Sequence, residues 1–122
     1  KDVISLCGLS IVRLRDLYRG ALAAVSPSLY EGFGLPALEA LACGTPAIVS
    51  RAASLPEVCG DAALYVEEPR DVRQWAAALL RIASDDALRQ TLRASGPLQA
   101  SSFSWKRTAL ETLHELESVC DA

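Results

Sequence analysis

The sequence contains no methionine, a single histidine and no pair of cysteines at Cys-x-x-Cys spacing. Cys7, Cys43, Cys59 and Cys120 are widely separated, and His114 lies far along the chain from most of them. Zinc and a disulfide framework therefore give way to free thiols in a reducing compartment. No apolar run approaches the roughly 18 residues of a bilayer-spanning helix, and no basic segment followed by a hydrophobic one opens the chain. Neither a membrane anchor nor a signal peptide is expected in it. Basic residues are scattered, with 12 Lys and Arg against 15 Asp and Glu for a net charge of -3. That balance leaves no electrostatic footprint for nucleic acid or an anionic membrane surface.

What is present is 122 residues at 51% hydrophobic, enough for one domain or part of one. The opening Lys1-Asp2-Val3, with no initiator Met, reads as an excised or processed piece. Residues 3–7 form a short apolar run closed by Gly8 and are expected to be a buried strand. A helix follows, capped by Ser10, with Leu14, Leu17, Tyr18 and Ala21 on one face and Gly20 near its end. Residues 22–26, stopped by Pro27, suit a strand buried on both faces of a parallel sheet. After the loop 28–34, Pro36 begins a helix that Gly44 ends. Residues 47–50 are a strand, a polar loop leads from Arg51 through Pro56 to Gly60, and residues 63–66 are another strand. This alternation predicts an α/β fold, a Rossmann-like parallel sheet with flanking helices.

Beyond residue 70 the chain becomes helical, which divides it into an α/β part over 1–70 and a helical part over 71–122. Asp71 with Gln74 resembles a capping box ahead of Val72, Trp75, Leu79 and Ala83. Ser84 is expected to cap a second helix closed by Gly96-Pro97, and Ser104 a third whose apolar stripe is Trp105, Ala109, Leu113, Leu116 and Cys120. The stripes, Trp75 and Trp105 included, read as core. Cys43 reads as a small buried residue and His114 as a surface helix residue.

The stretch that carries chemistry is 27–46, where a strand hands over to a helix, the position at which open parallel sheets bind ligands. Gly32 and Gly34 flank Phe33, so the backbone can approach a ligand closely and present its N–H groups. The helix starting near Leu35 adds unpaired amides and the positive end of its dipole, a site for phosphate. Glu31 sits on the loop and Glu39 one turn inside the helix, so the two carboxylates can face different parts of one extended ligand. A carboxylate's two acceptor oxygens match the vicinal hydroxyls of a ribose, which suits Glu39 beside the phosphate site. Taken singly, Glu39 is only an acid near a helix N-terminus and Gly32 and Gly34 only turn glycines; the combination with Glu31, Pro36 and Gly44-Thr45-Pro46 carries the ligand reading. Glu57 is balanced between lining that pocket and capping the turn around Pro56. Ser28 and Ser50 follow strands without a nearby histidine, so a hydrolase triad is not expected.

The run from Glu31 to Glu39 resembles the Glu-x7-Glu region of retaining glycosyltransferases of the GT-B fold, the family 4 or group 1 class. The resemblance extends to Leu17-Tyr18-Arg19-Gly20-Ala21, to Leu55-Pro56-Glu57-Val58 with Gly60-Asp61-Ala62-Ala63, and to Phe103-Ser104-Trp105. It implies the second half of a C-terminal, nucleotide-sugar-binding domain, with Lys1 about midway through it. Glu31 would be the catalytic candidate, hydrogen-bonded to the donor sugar, and Glu39 would hold the nucleotide ribose. Gly32, Phe33, Gly34 and Leu35 would touch the sugar and diphosphate through their amides. Gly8 and Leu9 would lie beside the nucleobase, although the turn is one residue short and Ile11-Val12-Arg13 stands where acidic residues are common.

The resemblance further implies transfer of a hexosyl group from a nucleotide-diphosphate sugar with retained configuration. No metal or other cofactor is expected, since there is no Asp-x-Asp motif and a helix end takes the cation's place. Basic residues that clamp the diphosphate would lie upstream of this chain, and the glycan or lipid-linked acceptor would bind another domain, so the chain alone is expected to be inactive. The full-length enzyme would be cytoplasmic or peripheral at the inner membrane face. Two alternatives remain open: a non-catalytic α/β module that self-associates through faces left uncovered, and an epimerase or phosphorylase on the same fold.

Overall fold

The computed structural model describes residues 3–120; the reading of Lys1 lies outside them. Nine elements follow in order: α1 (Ile11–Gly20), β1 (Ala24–Ser26), α2 (Leu35–Ala42), β2 (Ala47–Ser50), α3 (Leu55–Cys59), β3 (Ala63–Val66), α4 (Val72–Ser84), α5 (Asp86–Ser101) and α6 (Trp105–Cys120). The strands form one parallel sheet in the order β1-β2-β3, with Ala24 opposite Ala47 and Ala47 opposite Ala63. The α/β class and the parallel sheet agree with the sequence reading.

Side chains alternate across a strand, and β2 uses both faces. Ala47 and Val49 join Ala37, Leu41, Leu55, Val58 and Cys59 on the face covered by α2 and α3. Ile48 joins Val66, Ala78, Ile82 and Leu92 on the face covered by α4. β1 does not share this double cover. It is shorter than expected, and Val25, in register with Ile48, is 45% exposed, because the α4 cluster covers β2 and β3 and stops short of the edge strand.

Several local expectations fail for identifiable reasons. Residues 3–7 are exposed and form no strand, because a strand exists only through its ladder and β1, the edge of the sheet, is not paired with them. The loop through Pro56 contains the helix α3, with the proline in its first turn, where a missing N–H costs nothing. Asp71 does cap α4, accepting from the Arg73 amide at 2.9 Å, but Gln74 turns away to accept from the Glu68 amide at 3.0 Å, so no capping box closes. Ser84 ends α4, and Asp85 caps α5 by accepting from the Leu88 amide at 2.9 Å.

Gly96 and Pro97 lie inside α5 and do not end it. A Cβ at Gly96 would stand 3.0 Å from the Leu41 carbonyl oxygen, so the glycine serves the close packing of α5 on α2. Ser104 caps α6 as expected, accepting from the Arg107 amide at 3.1 Å. The stripe of α6 is not core: none of its residues is buried, and Trp105 is 80% exposed. Cys43 is half-buried, His114 is exposed, and the four thiols are free.

Candidate functional site

The loop between β1 and α2 leaves the carboxyl end of the sheet. Gly34 is the N-cap of α2 with φ 93°, a left-handed conformation natural to glycine. A Cβ there would lie 2.7 Å from Leu55 Cδ2, so the α3 side chain holds this turn from behind. Gly32 has open space around it. Among the described residues, the amides of Gly32, Phe33, Gly34 and Leu35 donate to no backbone or side-chain acceptor. Successive free N–H groups at the positive end of a helix dipole suit an anionic or strongly polar ligand.

Glu31, half-buried, is held at both its side chain and its backbone. Ser28 Oγ donates to Glu31 Oε1 at 2.6 Å, and Ser54 Oγ donates to the Glu31 carbonyl oxygen at 3.0 Å. Ser54 caps α3 through no side-chain bond, its hydroxyl being turned to the loop instead. Just before it Ala53 adopts φ 49°, a left-handed turn that brings the start of α3 beneath the loop. Ser50, fully buried at the end of β2, donates to the Ser28 carbonyl oxygen.

Glu39 is exposed in the second turn of α2 and accepts from Tyr18 Oη at 3.3 Å. Tyr18 is itself fixed: buried Thr45 donates from Oγ1 to its carbonyl oxygen at 2.6 Å. Burial first, and then the charge and hydrogen bond of Glu39, push the Tyr18 hydroxyl above the ordinary tyrosine pKa, so it stays a donor. Tyr18 also lines a cavity of about 360 Å³ between α1, β1 and α2, with Leu14, Leu17 and Val25.

The amides of 32–35 and the two glutamates are thus gathered along one loop and the first two turns of α2. The Phe33 ring leaves this group and packs edge-on against Phe103, ring centroids 5.6 Å apart, beside an apolar cavity of about 320 Å³ that also touches Leu35, Leu38 and Trp105. Gly8, with φ 63°, and Leu9 turn the chain into the Ser10 cap of α1. Among the described residues no hydrogen bond joins them to either glutamate. Glu57 is exposed in the first turn of α3. Arg51, a cation at this edge, is paired with Glu67 at 2.7 Å and stacked 4.1 Å over the Tyr65 ring.

Ser28, Ser50, Ser54, Tyr18 and Thr45 are the supporting residues that sequence reasoning did not assign to the site. For Ser28 a local signal existed, since a serine three residues before a glutamate on one loop can reach it. Ser54 lies 23 residues from Glu31 and Tyr18 lies 21 from Glu39, separations that only the fold closes.

A parallel sheet with a ligand-shaped loop at the strand ends defines the class of Rossmann-like α/β binding domains. The comparisons narrow this further. Residues 1–99 match the model for glycosyl transferases group 1, and the chain belongs to that family. It is 47% identical over 98 residues to O-antigen chain mannosyltransferase B of Escherichia coli, covering 80% of this chain and 26% of that protein. It is 43% identical over 116 residues to MMP alpha-(1->4)-mannosyltransferase of Mycolicibacterium hassiacum, covering 92% and 28%. Among solved structures it resembles sucrose-phosphate synthase of Thermosynechococcus elongatus with TM-score 0.76 and 35% identity, over 86% of this chain and 27% of that one. The chain therefore spans about a quarter of the length of these relatives. The three-stranded sheet with its helices matches part of a GT-B C-terminal domain.

Proposed function

We propose that this chain, 1–122, forms the nucleotide-sugar side of the donor site in a retaining glycosyltransferase that moves a hexosyl group from a nucleotide-diphosphate sugar to a glycan or lipid-linked acceptor. The observation that carries this is the free-amide turn of 32–35 set between Glu31 and Glu39. In this reading the amides receive the sugar and diphosphate, Glu39 the ribose hydroxyls and Glu31 a hydroxyl of the donor sugar. Gly8 and Leu9 stand beside the base.

The leaving diphosphate gains its stabilisation from fixed donors and the helix end, with no metal required. The remaining basic walls and the acceptor site belong to the longer protein, and the chain by itself does not turn over. In the same reading its place is the cytoplasm or the inner membrane face. Separately, among the described residues no helix is long and apolar enough to cross a bilayer.

Steady-state kinetics on the full-length enzyme test the assignment. Glu39→Gln is expected to raise the donor KM, and Glu31→Gln to lower kcat more than nucleotide affinity. Wild-type constants in both variants would sink it. A second reading, self-association as a non-catalytic module, is favoured by the uncovered apolar stripe of α6, with Trp105 at 80% and Leu116 at 62% exposure. Sedimentation of the chain at increasing concentration separates monomer from dimer.

A further inference from the structure

Ser28 contributes a hydroxyl to no catalytic step in the reading above, yet it makes the short contact to Glu31. At 2.6 Å its Oγ lies in the range of charge-assisted bonds from a hydroxyl to a carboxylate. A glutamate on a loop has several rotatable bonds and loses side-chain entropy each time it must meet a ligand in one pose. A donor three residues upstream removes much of that freedom beforehand.

The donor is itself anchored. Ser50, fully buried at the end of β2, donates to the Ser28 carbonyl oxygen, and Ser54 at the start of α3 donates to the Glu31 carbonyl oxygen at 3.0 Å. Hydroxyls from the loop after β1 and the start of α3 therefore meet on Glu31, and a third, from the end of β2, holds the backbone of Ser28. Two of the three fix the backbone at 28 and 31, and that of Ser28 fixes the carboxylate.

We infer that Ser28 is a positioning residue that presets the Glu31 carboxylate toward the donor sugar, with Ser50 and Ser54 holding the loop that carries the pair. This rests on the reading of Glu31 as the donor-sugar contact. A hydroxyl that merely satisfies a half-buried carboxylate would change stability and leave the split between catalytic constants untouched. A positioning hydroxyl acts when the sugar must be held for transfer, so its loss falls on kcat.

The test is a set of variants in the full-length enzyme, read by kcat, donor KM, nucleoside diphosphate affinity and thermal midpoint. Ser28→Ala is expected to lower kcat about tenfold, the scale of one hydrogen bond to a charged group, with KM and nucleoside diphosphate affinity within about twofold of wild type. Ser28→Thr, which keeps the donor, is expected to stay within about threefold of wild-type kcat. In a Glu31→Ala background, adding Ser28→Ala is expected to cost nothing further, since its object is gone. A Ser28→Ala enzyme at wild-type kcat, a threonine variant as slow as the alanine one, or an undiminished loss in the Glu31→Ala background each overturns the inference. Should Ser28→Ala fail to fold, the threonine variant and Ser28→Cys, a weaker donor of similar size, carry the same comparison. The parent reading fails separately: Glu31→Gln at wild-type kcat removes the donor-sugar role, whereas a slow Glu31→Gln beside an unimpaired Ser28→Ala removes only the positioning role.

Discussion

Tyr18 Oη donates to Glu39 Oε2 at 3.3 Å, joining the last turn of α1 to the second turn of α2. The carboxylate proposed to hold the ribose is therefore placed by a second helix as well as its own. Thr45, buried where the chain leaves α2 for β2, secures the Tyr18 backbone at 2.6 Å, so the two helices are tied at more than one point.

Tyr18→Phe removes the hydroxyl and keeps the ring. In the full-length enzyme it is expected to weaken nucleoside diphosphate binding about threefold, the scale of a partly exposed hydrogen bond, with kcat preserved. Because burial and Glu39 raise the Tyr18 pKa, the bond's contribution is intact below the ordinary tyrosine value of about 10 and fades only as pH climbs through the folded value. Wild-type affinity is thus expected to show no Tyr18-dependent fall between about pH 7 and 9, measured by calorimetry against Tyr18→Phe.

Gly34 and Gly32 should separate by substitution. Gly34→Ala forces a side chain onto φ 93° and against Leu55 Cδ2, a strain of about 1 to 3 kcal/mol before any repacking. Gly32→Ala meets open space and no positive φ, and is expected to change stability by less than about 1 kcal/mol. Thermal melts of the two variants check this; equal losses would contradict the turn geometry.

Much of this was legible because its signals are local. The Ser10 cap, Pro36 in the first turn of α2, Gly44 beyond its end and the apolar run of β2 each act within a few residues, and the elements they predict are present. Glu31, Glu39 and the amides of 32–35 were placed on loop and helix for the same reason. Long-range packing was not legible. Gly96 reads as a helix stop until α2 is seen to press on it, and residues 3–7 read as a strand although β1 is not paired with them. The apolar stripe of α6 looks like core in sequence because periodicity records a face and not what covers it. The hydrogen bonds of Ser54 and Tyr18 to the glutamates cross more than 20 residues, which no spacing rule anticipates.

The thiols should react in order of exposure. Cys7 and Cys120 are exposed, Cys43 is half-covered, and Cys59 is fully buried with its pKa pushed up to about 11 by desolvation. With a thiol-specific chromogenic reagent at pH 8, Cys7 and Cys120 are expected to react within the fast phase and Cys59 only on unfolding. A raised acidic group stabilises the fold below its unfolded pKa, so the contribution of Cys59 is complete below about 9 and is lost as pH rises toward about 11. Rapid native labelling of Cys59, found by peptide mapping, would contradict its burial.

The donor site is tested most directly by titration calorimetry of the full-length protein and its Glu39→Gln variant with uridine, guanosine and adenosine diphosphates. The account predicts that one of the three binds the wild type and that Glu39→Gln weakens that binding about tenfold, the loss of charged hydrogen bonds to a ribose. Equal affinity in the two proteins, or binding of none of the three, would contradict it.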